Sequence, residues 1–576
     1  MPADPWASFD RKPVKRQRPA TKTFQPEIVY TPAPVKPRQP ATNRHRSIDE
    51  IPGRNPMPSW VAALRPHQWD AINEAVELFN QGCDVVFIDA PTGSGKTLIG
   101  EVTRRMVEPA GKSLYVCSSL TLQDQFLHDF DYSAVLKGRT NYLPTDAPDG
   151  VNCGDCNKQA NVCSWCPDVN HCNYEVAKKA AFASDIAVVN TAYLLTETNH
   201  VGGFAGRDLV VVDEADVLEQ ELMRFVQFEI TERRLHTLKV TPPKRGSHMS
   251  TIFGWLRTQL MPAIERQIQI MRANGAIKSE VPRIVREYQA LTRLKSSVER
   301  LCGDSSEGWV RDNSAGPLVL KPVRVDKYGD QHLWKHARKW LCMSATIISP
   351  DEMAESLGLG ETGMQWGSVA VPMTFPVDNR KIFAVGMANM TNKEKDTEWP
   401  KMVEAIRNVL TLHPNERVLV HTVSYQLADY LLNNLRSTGR NLITYTNATA
   451  RNVAIEKFRN TNSAVLLAPS LDRGVDFKDD DCRVVVVAKV PFPNLGDSQV
   501  SARLHGPGGK SWYAVQTVRS LVQMTGRGVR SENDWCVTYI LDRQFTTNVW
   551  KNNRKLFPAW WREAVDATFP KSQLRD

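Results

Sequence analysis

Short uninterrupted apolar runs, separated by stretches of helical periodicity, set the rhythm of this chain. An amphipathic stretch from Gln68 to Phe79 is followed by the run from Val85 to Ile88, a glycine-rich turn and a further helical stretch. Runs from Leu114 to Cys117, Ile186 to Asn190 and Leu209 to Asp213 repeat the pattern. A strand without polar alternation is buried on both faces, so these runs predict a parallel sheet covered by helices. Such a sheet collects functional loops at the strand carboxyl ends, where Asp89 to Thr97 and Asp213 stand.

From 218 to 335 the rhythm gives way to long helical patterns, Ile252 to Ala273 and Ile284 to Leu301, and a Gly/Ser-containing stretch from Gly303 to Gly316. It returns at Trp340-Leu-Cys-Met-Ser-Ala-Thr346. A second set of runs follows from about 373: Val418 to Thr422, Leu442 to Tyr445, Ala464 to Ala468, Val484 to Lys489 and Val537 to Leu541. The expected fold class is α/β with two parallel-sheet domains. The first is assembled from 59–135, 176–217 and 336–372, interrupted by a cysteine segment at 136–175 and a helical insertion at 218–335; the second is 373–576.

A chain of 576 residues is too long for one core, which agrees with this division. Its net charge of +9 invites a nucleic-acid reading, but residues 1–58 hold 11 Lys/Arg against 5 Asp/Glu, whereas residues 59–576 hold 61 against 58. A nucleic-acid path through the folded body must therefore be a local groove. With twelve prolines, residues 1–58 read as a disordered basic arm, a loose DNA or partner contact or simply a solvated leader. No apolar run reaches the ~18 residues that span a bilayer, and residues 1–20 lack a signal-peptide core, so a cytoplasmic protein without membrane contact is expected.

The turn Ala90-Pro-Thr92-Gly93-Ser94-Gly95-Lys96-Thr97 is suited to a nucleoside triphosphate. Its backbone N–H groups can wrap phosphate oxygens at a helix N-terminus, Lys96 can neutralise the β- and γ-phosphates, and the Thr97 hydroxyl can ligate Mg²⁺. Asp213-Glu214-Ala-Asp216 ends an apolar strand; Asp213 can hold Mg²⁺ and Glu214 can orient the attacking water, although the same turn alone reads as a helix N-cap. Near the other end, Gln523, Arg527 and Arg530 have the spacing of one helical face, and the planar arginine fork suits the charge of phosphoryl transfer; a solvated basic turn is the bland alternative. The Gln68 amide can read an adenine edge with one donor and one acceptor. Arginines so far along the chain belong to a second domain that must close on the first.

Five of the eleven cysteines, Cys153, Cys156, Cys163, Cys166 and Cys172, fall within twenty residues and read as a metal-ligand cluster. Two C-x₂-C pairs have zinc-site spacing, and thiolates equally serve iron-sulfur clusters. The other six are isolated and read as buried thiols.

In order and context, Ala90 to Thr97, Asp213 to Asp216, Ser344-Ala345-Thr346, Gly474-Val475-Asp476-Phe477 with Pro491-Phe492-Pro493, and Gln523 to Arg530 resemble the motifs of superfamily 2 helicases, specifically the DinG/XPD branch. Gly138-Arg-Thr-Asn-Tyr142, the cysteines, Cys172-Asn-Tyr174 and Val188-Val-Asn190 resemble that branch's iron-sulfur insertion, and the resemblance spans about 60 to 560. It implies two RecA-like motor domains, a [4Fe–4S] domain held by four of the five cysteines, and a helical arch. The implied protein is an ATP- and Mg²⁺-dependent helicase moving 5′ to 3′ on single-stranded DNA, acting as a monomer on forked DNA, with RNA–DNA hybrids as a further candidate substrate. It further implies nucleotide contact at Asp476, γ-phosphate contact at Gln523, Arg527 and Arg530, coupling through Ser344 and Thr346, and DNA-backbone contact near Ser119, Leu120 and Gln123 and near Thr422 and Ser424. A translocase that remodels protein–DNA complexes without strand separation is the alternative, with zinc the alternative metal. Three positions depart from the branch: Asp216 stands where a histidine is usual, Arg473 where a glutamate is common, and Pro144 where the first cysteine commonly lies.

Overall fold

The computed structural model describes residues 47–567 apart from 157–164, 201, 205, 277–278, 280, 313–317, 392, 472–476, 478, 526–528 and 530. Its strands are β1 (Val85–Asp89), β2 (Ser113–Cys117), β3 (Ala134–Val135), β4 (Ile186–Asn190), β5 (Arg207–Asp213), β6 (Phe228–Ile230), β7 (Trp309–Asp312), β8 (Leu318–Pro322), β9 (Ala337–Ser344) and β10 (Trp366–Ala370). They continue with β11 (Ile382–Ala388), β12 (Val418–His421), β13 (Leu442–Ile443), β14 (Val465–Ala468), β15 (Val484–Val487), β16 (Val537–Asp542) and β17 (Val565–Asp566).

Among the described residues, one seven-stranded sheet runs β10-β1-β9-β5-β2-β4-β3 and another runs β13-β14-β12-β15-β16-β11-β17. Every pairing within the two is parallel. The chain is thus α/β with two parallel-sheet domains, as the apolar runs predict. Val85, Val86, Phe87 and Ile88 are all fully buried, because helices cover both faces of the sheet and leave neither available for polar residues. The edge strand β10, Trp-Gly-Ser-Val-Ala, lacks a clean apolar run, whereas β11, Ile-Phe-Ala-Val-Gly-Met-Ala, is an apolar run that the sequence reading passed over.

The insertion at 218–335 differs from its purely helical expectation. It contains α3 (Leu218–Val226) and α4 (Pro282–Cys302), numbered after α1 (Pro66–Asn80) and α2 (Lys96–Val107) of the first domain. It also contains an antiparallel sheet of order β6-β8-β7. Trp309 and Leu320 bury against helical neighbours such as Phe253, so this sheet shares the helices' core. Its strands are three to five residues long, too short for alternation to register against a polar background.

The 1–58 arm also needs correction at its end. Residues 1–46 lie outside the described residues, but 47–58 dock on the first domain. Asn55 O and Pro56 O accept from the Arg105 guanidinium at 2.7 and 3.4 Å, and Ile51 and Met57 pack on the apolar cluster around Trp69 and Phe79.

Candidate functional site

Register decides which loops meet. Asp89 at the end of β1 pairs with Ser344 of β9, and Asp213 at the end of β5 pairs with Met343 of the same strand. The central strand β9 therefore draws the phosphate loop, the Asp-Glu turn and Ser344-Ala345-Thr346 to one edge of the sheet.

The phosphate loop needs glycine at two positions. Gly93 and Gly95 both have φ near 82°, and a Cβ on Gly95 would lie 2.3 Å from Gln68 Nε2. Gln68 is almost fully buried and braces this loop: its Nε2 donates to Ser94 O at 3.0 Å, while its Oε1 accepts from Arg65 N at 2.8 Å. His67 Nε2 is 3.2 Å from the same Ser94 carbonyl, and Arg65 Nη1 donates to Gly93 O. Ala90 is buried and donates its N–H to Ser344 O at 2.9 Å; Thr92 is partly buried at the loop's crest. Lys96 and Thr97 then open α2, whose N-terminus faces the loop.

Lys96 Nζ donates to Glu214 Oε1 at 2.8 Å. Burial would lower the lysine pKa, but Glu214 and Asp213 outweigh it and hold the value above the ordinary range. Asp213 is pushed up to about 6 by burial, against the pull of Lys96. Glu214 has φ 56°, a left-handed backbone that favours glycine, and makes no side-chain capping bond. The turn therefore holds its carboxylate toward Lys96 and does not serve as an N-cap. Asp89 is likewise pushed up, to about 7, by burial in spite of Lys96; one oxygen accepts from the Ile347 N–H and Oδ1 has no partner among the described residues.

Across the cleft lie α5 (Ser498–His505) and α6 (Gly509–Thr525) of the second domain. Gln523 Nε2 donates to Asp216 Oδ2 at 2.8 Å and to Thr346 Oγ1 at 2.9 Å, while Ser344 Oγ donates to Asp216 Oδ1 at 2.7 Å. A carboxylate at 216 can only accept, and it is supplied with two donors, one from each domain. Arg519, one helical turn before Gln523, donates through Nε to Thr346 O at 3.1 Å and through Nη2 to Ile347 O. Sequence reasoning missed Arg519, for which the i−4 spacing from Gln523 was the available signal, and placed Asp89 only as the start of the loop, with no role of its own. Arg527, Arg530 and Asp476 lie outside the described residues.

Two resemblance-based positions read differently in the fold. Gln123 is fully buried and donates to Leu136 O and Val188 O, each at 3.2 Å, so it ties β3 to β4 and is not presented to a ligand. Thr422 is also fully buried, with Oγ1 donating to Ser424 O at 3.1 Å. Ser119 and Ser424 each cap a helix, at Leu122 N and Leu427 N, and Leu120 is exposed.

In the cysteine segment Cys153, Cys156, Cys166 and Cys172 are all buried, and Cys163 lies outside the described residues. Burial, then the Cys172 thiol in hydrogen-bonding contact and Cys166 nearby, pushes the Cys153 thiol up to about 12. Thr145 N donates to Cys166 Sγ at 3.5 Å. The donor set is of thiols alone, the chemistry that soft metals take, although among the described residues no three His, Cys, Asp or Glu side chains are grouped closely enough to hold a single metal ion. Asp155 pairs with Arg286 of α4, joining this segment to the insertion.

Known proteins resemble this chain in sequence and fold. A helicase C-terminal domain family matches residues 406–564, and the family of the type III restriction enzyme res subunit matches 62–215. The Fanconi anemia group J protein homolog of Gallus gallus is 30% identical over 106 residues, so the match spans 16% of this chain and 8% of that relative's length. The ATP-dependent DNA helicase XPD of Sulfolobus acidocaldarius is 21% identical over 543 residues, 82% of this chain and 95% of that protein. An XPD helicase structure superposes with TM-score 0.61 at 16% identity, covering 86% of this chain and 98% of that one, a likeness of fold.

Proposed function

We propose that the chain, which is similar to DinG/XPD-type superfamily 2 helicases, hydrolyses ATP between its two parallel-sheet domains to translocate along single-stranded DNA, 5′ to 3′, and to separate duplex strands. The observation that carries the reading is the contact of Gln523 with Asp216 and Thr346, which joins the second domain to the acidic turn and the Ser-Ala-Thr motif beside the phosphate loop.

Each side chain then has a task. The loop from Ala90 to Gly95 wraps the phosphates; Lys96 transfers its charge from Glu214 to the β- and γ-phosphates, which frees Glu214 to orient water. Thr97 and Asp213 would hold Mg²⁺, whose chemistry is to neutralise phosphate charge. Burial disfavours the ionised Asp213 carboxyl, and Lys96 and a bound cation would both favour it. Gln68 positions the loop and, with Asp476, completes the nucleotide site. Arg527 and Arg530 meet the γ-phosphate, and Gln523 passes the state of that site to Asp216.

The buried all-thiol set fits an iron-sulfur cluster better than a carboxylate-rich site would. Four of Cys153, Cys156, Cys163, Cys166 and Cys172 would hold it, as a rigid staple for a segment with little regular structure. The Asp155–Arg286 pair sets that segment against the arch, a position suited to handling DNA forks. No helix among the described residues is long and apolar enough to cross a membrane.

The test is phosphate release with and without single-stranded DNA, paired with strand separation on duplexes carrying a 5′ or a 3′ tail. DNA-stimulated hydrolysis with unwinding of the 5′-tailed duplex supports the proposal. Stimulated hydrolysis that displaces a bound protein block but separates neither duplex selects the translocase reading, and no hydrolysis at all refutes both.

A further inference from the structure

Resting on the motor reading above, we propose that Glu219 is a positioning residue that fixes the helix bearing Gln523 over the nucleotide site. Glu219 lies on α3, five residues after Glu214, and its carboxylate gathers donors from two helices of the other domain. Arg503 of α5 donates to Oε1; Trp512 Nε1 and Gln516 Nε2 of α6 both donate to Oε2 at 3.2 Å. Arg503 is 2% exposed and Glu219 14%, so the pair is shielded from the water that weakens surface ion pairs. The Arg503 guanidinium also lies 4.4 Å from the centre of the Trp512 ring and donates to Ser356 Oγ at 2.7 Å.

Geometry makes this more than a surface contact. Trp512, Gln516, Arg519 and Gln523 recur at intervals of three to four along α6, so one face of the helix meets the first domain throughout. Glu219 grips the start of that face, and Asp216 and Thr346 receive its end. Helix α5 is held at its other end as well: Asp497, which caps it, pairs with Lys321 of β8 at 2.7 Å, and Gln499 Nε2 donates to Val323 O at 2.7 Å. Arg324 Nη1 reaches Pro507 O, just beyond the helix. The inserted sheet and α3 therefore clamp α5, and Glu219 sets the register in which α6 approaches the catalytic turn. Being on the helix that continues from Asp213-Glu214, Glu219 moves with the catalytic turn, so any shift of the turn is transmitted to α6.

The experiment compares Glu219→Gln and Trp512→Phe with the wild-type full chain, by steady-state ATP hydrolysis with saturating single-stranded DNA and by amide hydrogen exchange without nucleotide. Glu219→Gln is expected to lower kcat by about tenfold while KM for ATP stays within about twofold, because the phosphate loop is untouched. Exchange should rise in Ser498–His505 and Gly509–Thr525 and not in Val85–Asp89. Trp512→Phe keeps a ring and loses one donor, and should give the same pattern at smaller size. Unchanged exchange in both helices overturns the proposal, as does a rise in KM that matches the fall in kcat. If the wild type shows no DNA-stimulated hydrolysis the motor reading fails, and the exchange data still decide whether Glu219 holds the helices.

Discussion

Gln523 and Asp216, 307 positions apart in the chain, meet at 2.8 Å across the cleft between the domains of the two seven-stranded sheets. The acceptor-only side chain of Asp216 has recruited an amide donor from one domain and a hydroxyl donor, Ser344, from the other. The pair predicts non-additive mutations. In a double-mutant cycle on DNA-stimulated hydrolysis, Asp216→Ala and Gln523→Ala should each lower kcat, and together cost less than their sum by about 0.5–3 kcal/mol. Additive losses would mean that the contact does not transmit.

Lys96→Ala should abolish ATP hydrolysis while leaving single-stranded DNA binding measurable. The lysine opens α2 at the end of the loop and pairs with Glu214 at 2.8 Å, whereas another cation at the loop, Arg65, is hydrogen-bonded to the Gly93 carbonyl. Phosphate release at the wild-type rate would remove the phosphate loop from the mechanism.

A buried cluster behind the loop governs stability. Glu101 is fully buried and accepts from Arg104 twice and Arg105 once, each at 2.8 Å, and from Tyr132 OH at 2.9 Å. Burial alone would raise its pKa, but the arginines win and hold it below the ordinary value. The folded state thus binds its proton less readily than the unfolded chain, so this stabilisation is present at neutral pH and is lost on acidification. Glu101→Gln should cost about 3–5 kcal/mol, read as a lower denaturation midpoint at neutral pH. The gap from wild type should narrow in acid.

Asp89 has the opposite sign. Its folded pKa, about 7 against an ordinary 3.8, means that the folded state keeps a proton the unfolded chain releases. Stability associated with this group falls as pH rises between those values. Asp89→Asn cannot ionise, so it should be more stable than wild type by about 1–3 kcal/mol at about pH 8.5, allowing for its partial exposure, with the difference closing only at about pH 3.5, below the ordinary value of 3.8. Melting curves at the two pH values check this.

Metal analysis of anaerobically purified protein should find about four iron and four acid-labile sulfide per chain. Cys166→Ser with Cys172→Ser should remove both, spare much of the ATP hydrolysis and abolish strand separation. One zinc and no sulfide would replace the cluster with a structural zinc.

The sequence by itself determined that there are two parallel sheets, and where the phosphate loop and the acidic turn lie. Their signals are local: a run such as Val85 to Ile88 has to be buried on both faces, and Gly93 and Gly95 are needed where φ is positive. The burial of Cys153, Cys156, Cys166 and Cys172 was not legible from their spacing, which marked them only as close in sequence. Other features depended on the partner that folding supplies. Gln123 looks like any helix-start glutamine until β3 and β4 enclose it, and Glu219 looks like a solvated helix residue until Arg503, Trp512 and Gln516 close on it. The inserted sheet was hidden because its strands are short and share the helices' core. Tertiary structure alone decided that β9 lies between β1 and β5, which brings Asp89, Asp213 and Ser344 to one edge. Strand order rests on long-range pairing and burial, and no window of neighbouring residues encodes it.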